Sequence, residues 1–78
     1  MLSIVYKVGK GVFTISKLAE VRKAHGLTQE RLAELSGVHR VSIARYETGK
    51  MSPTIRNLER LSIVLEVPVE DLIDRKGA

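Results

Sequence analysis

Residues 28–50 read TQERLAELSGVHRVSIARYETGK and contain two short helical patterns that meet at a glycine. Thr28 can cap the first helix, because its hydroxyl can accept a hydrogen bond from a backbone N–H two or three residues further on. Leu32 begins the apolar face of that helix. Gly37 readily adopts the left-handed conformation in which helices end. The stretch therefore predicts a helix, a sharp turn and a second helix over residues 40–47.

The second predicted helix has two unlike faces when successive residues are turned by about 100°. One face carries Ile43, Tyr46 and Glu47, and the other carries Arg40, Val41, Ala44, Arg45 and Thr48. In the major groove of B-DNA, arginine can bond guanine O6 and N7 together, and a small aliphatic group can contact a thymine methyl. The residues predicted to read bases are Arg40, Val41, Ala44 and Arg45.

Residues 16–73 resemble the Cro/cI-type phage-repressor helix-turn-helix family. The family's spacing is kept at Leu27, Thr28, Gln29, Leu32, Ala33, Gly37, Ile43, Tyr46, Glu47, Gly49 and Pro53. The resemblance implies an all-α, compact five-helix DNA-binding domain whose second helix crosses the DNA backbone and whose third enters the major groove. Arg31 departs from the family, which commonly has glutamate there, and Glu66 stands where a glycine is expected.

The composition fits one small domain without catalytic or metal chemistry. The 78 residues include no cysteine, which excludes disulfides, thiolate ligands and a catalytic thiol. His25 and His39 lie at predicted helix ends, and no spacing pairs a nucleophile with a base, so no enzyme, metal or cofactor is expected. The apolar runs are far shorter than the roughly 20 residues that span a bilayer. We expect a soluble cytoplasmic domain with no membrane partner.

The net charge of +4 is unevenly distributed along the chain. Residues 1–60 carry 11 lysines and arginines against five acidic residues, a net of +6, whereas residues 61–78 have a net of −2. A polyanion such as DNA would be attracted to one end of the domain and repelled from the other.

Several polar side chains are expected to contact DNA phosphates. Gln29 lies in the first turn of helix 2, where free backbone N–H groups also suit an anion; a glutamine that only covers the helix end is the alternative. His39, at the cap of helix 3, is expected to contact a phosphate or solvent rather than a metal. Arg31 is expected to face solvent rather than a phosphate. The expected phosphate contacts are Thr28, Gln29, His39, Ser42 and Lys50.

The resemblance also implies an ion pair between Arg22 on helix 1 and Glu47 at the end of helix 3. Helix 1 is predicted over residues 17–25, with Ser16 as a plausible cap. Arg22 lies beside the inward stripe of this helix, where a solvated surface charge is the alternative. A partly buried charge is tolerable only with its partner, so the pair would clamp helix 1 to helix 3.

Two further helices are predicted after Pro53. Thr54 can cap a helix over residues 55–65, and a short fifth helix can follow Pro68. The predicted core stripe of helix 4 is Ile55, Leu58, Leu61 and Leu65, and Leu35 of helix 2 is also expected inside. Ile63 falls outside that stripe, at a position that the fold leaves open to solvent.

Residues 1–15, MLSIVYKVGKGVFTI, follow no helical pattern and indicate a strand-turn-strand arrangement. A frayed tail, a strand or hairpin packed on its own domain, and a dimer element are all open. The apolar content is high for a disordered tail, and we hypothesise that residues 4–13 support dimerisation. The candidate dimer contacts are Tyr6, Val8, Phe13 and Ile63.

The predicted division of the chain is an extension over residues 1–15, a helix-turn-helix domain over residues 16–74, and a tail over residues 75–78. The leading functional hypothesis is a sequence-specific regulator of transcription, repressor-like, that binds double-stranded DNA as a homodimer on a palindromic operator. The alternative is an antitoxin on the same fold, which would neutralise a toxin protein and regulate its own gene through the helix-turn-helix.

Overall fold

The computed structural model describes residues 12–14 and 17–76, with side chains over residues 17–73. This part of the chain forms an all-α domain of four helices with a short two-stranded pairing of its ends. In order, the elements are β1 (Val12–Thr14), α1 (Leu18–Ala24), α2 (Gln29–Ser36), α3 (Arg40–Glu47), α4 (Ile55–Leu65), a 3₁₀ turn (Val69–Asp71) and β2 (Asp74–Lys76). The predicted bounds of α3 and α4 are confirmed.

Threonine hydroxyls cap two of the helices at the predicted positions. Thr28 Oγ1 accepts a hydrogen bond from the Arg31 N–H at 3.0 Å, and Thr54 Oγ1 accepts one from the Asn57 N–H at 3.1 Å. Each bond satisfies a backbone donor that the first turn of a helix otherwise leaves unpaired. The expected cap of α1, Ser16, lies outside the described residues.

The turn between α2 and α3 is fixed by a left-handed glycine and a buried serine. Gly37 has a φ of 78°, and its N–H donates to the Ala33 carbonyl at 2.9 Å. Ser36 is buried, and its Oγ accepts from the Val38 N–H at 3.1 Å. Val38 then enters the core, so the turn is anchored on both sides and α3 leaves it in a defined direction.

One hydrophobic core joins the four helices. Its buried members are Leu18, Leu32, Val38, Ile43, Tyr46, Leu58, Leu61, Leu65 and Leu72. The prediction that Leu35 and Ile55 also lie inside is wrong, since they are 46% and 54% exposed. The sides of the two helices that face the core carry other residues: α2 buries Leu32 and Ser36, and α4 buries Leu58, Leu61 and Leu65.

The predicted fifth helix is a single 3₁₀ turn. Bonds of the i to i+3 type run from the Asp71 N–H to the Pro68 carbonyl and from the Leu72 N–H to the Val69 carbonyl, both at 2.9 Å. This turn is enough to bring Leu72, which is fully buried, into the core. The chain then extends into β2, which leaves no residues for further helical turns.

The two ends of the described chain pair with each other. β1 and β2 are antiparallel, with Val12 opposite Lys76, Phe13 opposite Arg75 and Thr14 opposite Asp74. The pairing joins β1, which lies in the predicted extension, to β2, which includes two residues that were expected to form a tail. Residues 1–11 of the extension, including the expected strand around Tyr6, lie outside the described residues.

Helix α4 ends at a left-handed residue that is not glycine. Glu66 has a φ of 57°, and the Val67 N–H closes the helix end on the Ser62 carbonyl at 3.2 Å. This ending normally uses glycine, because a Cβ in the left-handed region costs roughly 1–2 kcal/mol. Glu66, which stands where the family has a glycine, therefore adopts a strained conformation.

Replacing Glu66 with glycine should therefore stabilise the domain. We expect Glu66→Gly to raise the free energy of unfolding by about 1 kcal/mol, since relief of strain exceeds the added entropy of glycine in the unfolded chain. Glu59→Gly is the matched control within α4 and should lose about 1 kcal/mol. Urea melts of the three proteins measure both changes. A Glu66→Gly protein no more stable than its parent would contradict the strain.

Candidate nucleic-acid interface

The two faces of α3 are the two that the sequence indicates. Ile43 and Tyr46 are buried, with exposures of 0% and 2%. Arg40 and Arg45 are exposed, Val41 is 41% exposed, and Ala44 and Ser42 are partly exposed. The core therefore leaves two guanidinium groups and several small side chains of α3 open to solvent.

His39 caps α3 through its imidazole. Nδ1 accepts a hydrogen bond from the Val41 N–H at 3.1 Å. Since an accepting nitrogen carries no proton, the neutral ring must hold its hydrogen on Nε2. The exposed ring of His39 therefore offers a single N–H donor at the start of α3.

The ion pair that the resemblance implies is present and largely shielded from solvent. Arg22 Nε donates to Glu47 Oε2 at 2.6 Å and Nη2 donates to Oε1 at 3.1 Å, while Nη1 donates to the Leu27 carbonyl at 2.8 Å. The two side chains are 10% and 6% exposed. Arg22 thus ties α1 and the loop after it to the last residue of α3.

Gln29 joins this cluster, which its sequence position alone did not indicate. Its Nε2 donates to Glu47 Oε1 at 2.9 Å, across 18 residues of sequence. Gln29 begins α2 and Glu47 ends α3, so the bond connects the two helices of the helix-turn-helix at one end. The sequence position of Gln29 predicts a contact with a phosphate or a cover for the helix end, and it does not bring Gln29 near Glu47.

A second polar contact that the sequence did not reveal fixes α3 against α4. Asn57 Nδ2 donates to the Tyr46 hydroxyl at 2.9 Å. Tyr46 was expected only as a core residue, but burial of its phenol requires a partner for the hydroxyl. The last two residues of α3, Tyr46 and Glu47, are therefore both held by side-chain contacts to other helices.

The remaining predicted residues fall outside this cluster. Arg31 forms an exposed ion pair with Glu34 at 2.9 Å, so solvent and a neighbouring carboxylate surround it. Lys50 is exposed just beyond α3, and Ile63 is 74% exposed on α4. Of the other candidate dimer contacts, Phe13 lies in β1, and Tyr6 and Val8 lie outside the described residues.

Within residues 12–14 and 17–76, no group of histidine, aspartate or glutamate side chains is placed to hold a metal ion. None of the helices described is long and apolar enough to cross a membrane.

The shielded Arg22–Glu47 pair, the capped α3 and the glycine turn between α2 and α3 define a helix-turn-helix domain. The profile of the helix-turn-helix family HTH_3 matches residues 18–72. The chain belongs to this Cro/cI-type family of transcriptional regulators.

Relatives and solved structures agree with this family. The chain is 36% identical over 59 residues to the transcriptional repressor RstR of the cryptic phage CTXphi from Vibrio cholerae, covering 76% of this chain and 53% of that protein. It is 40% identical over 52 residues to the regulator PuuR of Escherichia coli, covering 67% of this chain and 28% of PuuR. The chain thus spans about half of RstR and less of PuuR.

Two crystal structures superpose on most of the chain. The restriction-modification controller protein C.AhdI of Aeromonas hydrophila has a TM-score of 0.70 and 34% identity, covering 74% of this chain and 89% of that one. The biofilm regulator SinR, solved in complex with DNA, has a TM-score of 0.71 and 33% identity, covering 76% and 97%.

The Arg22–Glu47 ion pair should contribute more to the free energy of unfolding than to contact with a ligand. Glu47→Ala strands Arg22 in a shielded setting, and we expect a loss of roughly 3–5 kcal/mol in the free energy of unfolding. Replacing the pair as a unit, Arg22→Met with Glu47→Leu, should recover much of this loss because no lone charge remains. Thermal melts of the three proteins decide the matter; if Glu47→Ala melts like the parent, the pair contributes nothing to stability.

Proposed function

We propose that this domain is a sequence-specific regulator of transcription that binds double-stranded DNA through α3 in the major groove. The observation that carries the proposal is the exposed face of α3, where Arg40 and Arg45 lie beside Val41 and Ala44. Guanidinium groups recognise guanine edges, and small aliphatic groups fit thymine methyls. The named relatives, a phage repressor and a bacterial regulator, support the same function.

The phosphate contacts are proposed on either side of that face. The proposed set is Thr28, Gln29, His39, Ser42 and Lys50. Thr28 Oγ1 accepts the capping bond but keeps its own hydrogen as a donor, and His39 presents its Nε2 hydrogen. Lys50 adds an exposed positive charge after α3. Donors at both ends of the reading face would fix its register on the DNA backbone.

The functional unit is proposed to be a homodimer on a palindromic operator. Two recognition helices on one face of B-DNA must lie about 34 Å apart, and the described part of the chain supplies one of them. Ile63 supports the proposal, because 74% of its surface is exposed and burial of apolar area yields about 25 cal/mol per Å². A toxin partner, as in the antitoxin alternative, would require a second protein on such a surface.

Base reading is tested by selecting binding sites from random duplexes. Arg40→Ala or Arg45→Ala should relax preference at one base pair and cost roughly 1–3 kcal/mol of discrimination, because a bidentate contact is lost. Lys50→Ala is the control and should weaken all sequences alike. If both arginine variants select the parent's site with the parent's affinity, α3 does not read the groove.

The proposed role of His39 can be separated from its capping role. His39→Asn keeps a side-chain acceptor for the Val41 N–H but replaces the Nε2 donor with the amide of a shorter side chain, which reaches less far toward a phosphate. Stability should therefore be kept while all duplexes bind a few-fold more weakly. His39→Ala removes both functions and should also lose about 1 kcal/mol of stability. Melting and fluorescence anisotropy measure the two effects. An Asn variant that binds DNA like the parent would remove His39 from the contact set.

The dimer proposal predicts that mass in solution depends on the N-terminal segment and Ile63. Deleting residues 1–11, which spares β1, or introducing Ile63→Ser should shift a dimeric parent toward monomer by loss of buried apolar area. Ile55→Ser, at the other end of α4 and also exposed, is the matched control and should leave the dimer intact. Light scattering reports each mass. Dimers that survive both changes would rule out this interface.

A further inference from the structure

The Glu47 carboxylate is shared between two donors on different helices. Among the residues that the structure describes, it accepts from Arg22 Nε and Nη2 and from Gln29 Nε2, at 2.6, 3.1 and 2.9 Å. The carboxylate is 6% exposed, so water competes little for these bonds. Arg22 neutralises the charge of Glu47, and the bond to Gln29 adds a connection between α2 and α3.

The bond to Glu47 fixes which way the Gln29 amide faces. An ionised carboxylate only accepts hydrogen bonds, so the amide must present its nitrogen, and a flip would place its oxygen against the carboxylate. The nitrogen carries two hydrogens and Glu47 takes one of them. Because Gln29 is only partly buried, the second hydrogen remains available to an acceptor outside the domain.

We infer that Glu47 is a positioning residue for DNA binding, which orients the Gln29 amide toward a backbone phosphate. The inference rests on the proposed function and adds a residue that does not itself touch DNA. A glutamine side chain that nothing holds loses rotamer freedom when it binds a phosphate. The amide of Gln29 is already ordered before DNA binds. Because Glu47 is also the last residue of α3, one carboxylate links the backbone contact to the helix that reads bases.

This linkage has a consequence for recognition. Phosphate contacts set the register of a protein on the duplex, and base contacts then read sequence in that register. A phosphate donor anchored to the end of α3 moves with the reading face. The distance between Gln29 and the arginines of α3 is therefore set by the protein rather than by the DNA.

A cycle of variants measures whether Glu47 acts through Gln29. Gln29→Met keeps the length of the side chain but removes the amide; Arg22→Met with Glu47→Leu removes the ion pair as a unit. The cycle consists of the parent, these two proteins and the triple variant, with affinity measured on a duplex of unrelated sequence and stability measured separately. Gln29→Met should weaken binding roughly ten-fold in the parent, the value of one hydrogen bond to a charged group.

Gln29→Met should have almost no effect on DNA affinity in the paired variant, which lacks the Glu47 carboxylate. The paired variant is expected to bind as weakly as Gln29→Met, and the triple variant no more weakly than the paired one. Equal losses in both backgrounds would overturn the inference, as would no loss in the parent. If the parent itself does not bind DNA, the proposed function falls as well, so the two failures are distinguishable.

A second measurement on the parent covers the case in which the paired variant does not fold. The two side-chain amide protons of Gln29 give separate NMR signals. On addition of a duplex, one signal should keep its position, since Glu47 holds that proton, and the other should shift as it meets phosphate. Two protons that shift together, or that both stay in place, would overturn the inference.

Discussion

The ion pair between Arg22 and Glu47 is the contact on which the arrangement of the helix-turn-helix depends. Arg22 uses its guanidinium to hold both oxygens of Glu47 and the carbonyl of Leu27, which are contributed by two different parts of the chain. Removing two charges from water is costly, and the cost is offset only when the geometry satisfies nearly every donor and acceptor. Because this geometry must be met, the ion pair holds α3 in one defined position relative to α1.

Once α3 is held in this way, its outward face is free for recognition. Ile43 and Tyr46 bury the inner side, the hydroxyl of Tyr46 is satisfied by Asn57, and His39 closes the first turn. None of these contacts uses Arg40 or Arg45. The residues that hold α3 in place and the residues proposed to read DNA are therefore different residues of the same eight-residue helix.

Much of this arrangement could be predicted from local chemistry. Thr28, Gly37 and Thr54 mark helix ends because capping and left-handed turns depend on a few neighbouring residues. The two faces of α3 follow from helical periodicity. The pairing of Arg22 with Glu47, 25 residues apart, came from resemblance to a family and not from spacing alone.

The features that were not predicted are set by tertiary contacts. Leu35 and Ile55 fit an apolar stripe, but the packed helices bury Leu32, Ser36 and the stripe from Leu58 to Leu65 instead. The three-residue strands β1 and β2 carry too little pattern to reveal a pairing between the two ends of the chain. The bond from Gln29 to Glu47 depends on side-chain conformations that only the packed helices determine.

The exposed residues of α3 are proposed to read DNA while the Arg22–Glu47 ion pair stays intact. The structure of this chain bound to a duplex carrying its selected site would show which surface contacts DNA. We expect α3 in the major groove, with Arg40 and Arg45 on base edges and the Arg22–Glu47 bonds unbroken. A complex in which the duplex lies against another face, or in which α3 leaves the groove empty, would contradict it.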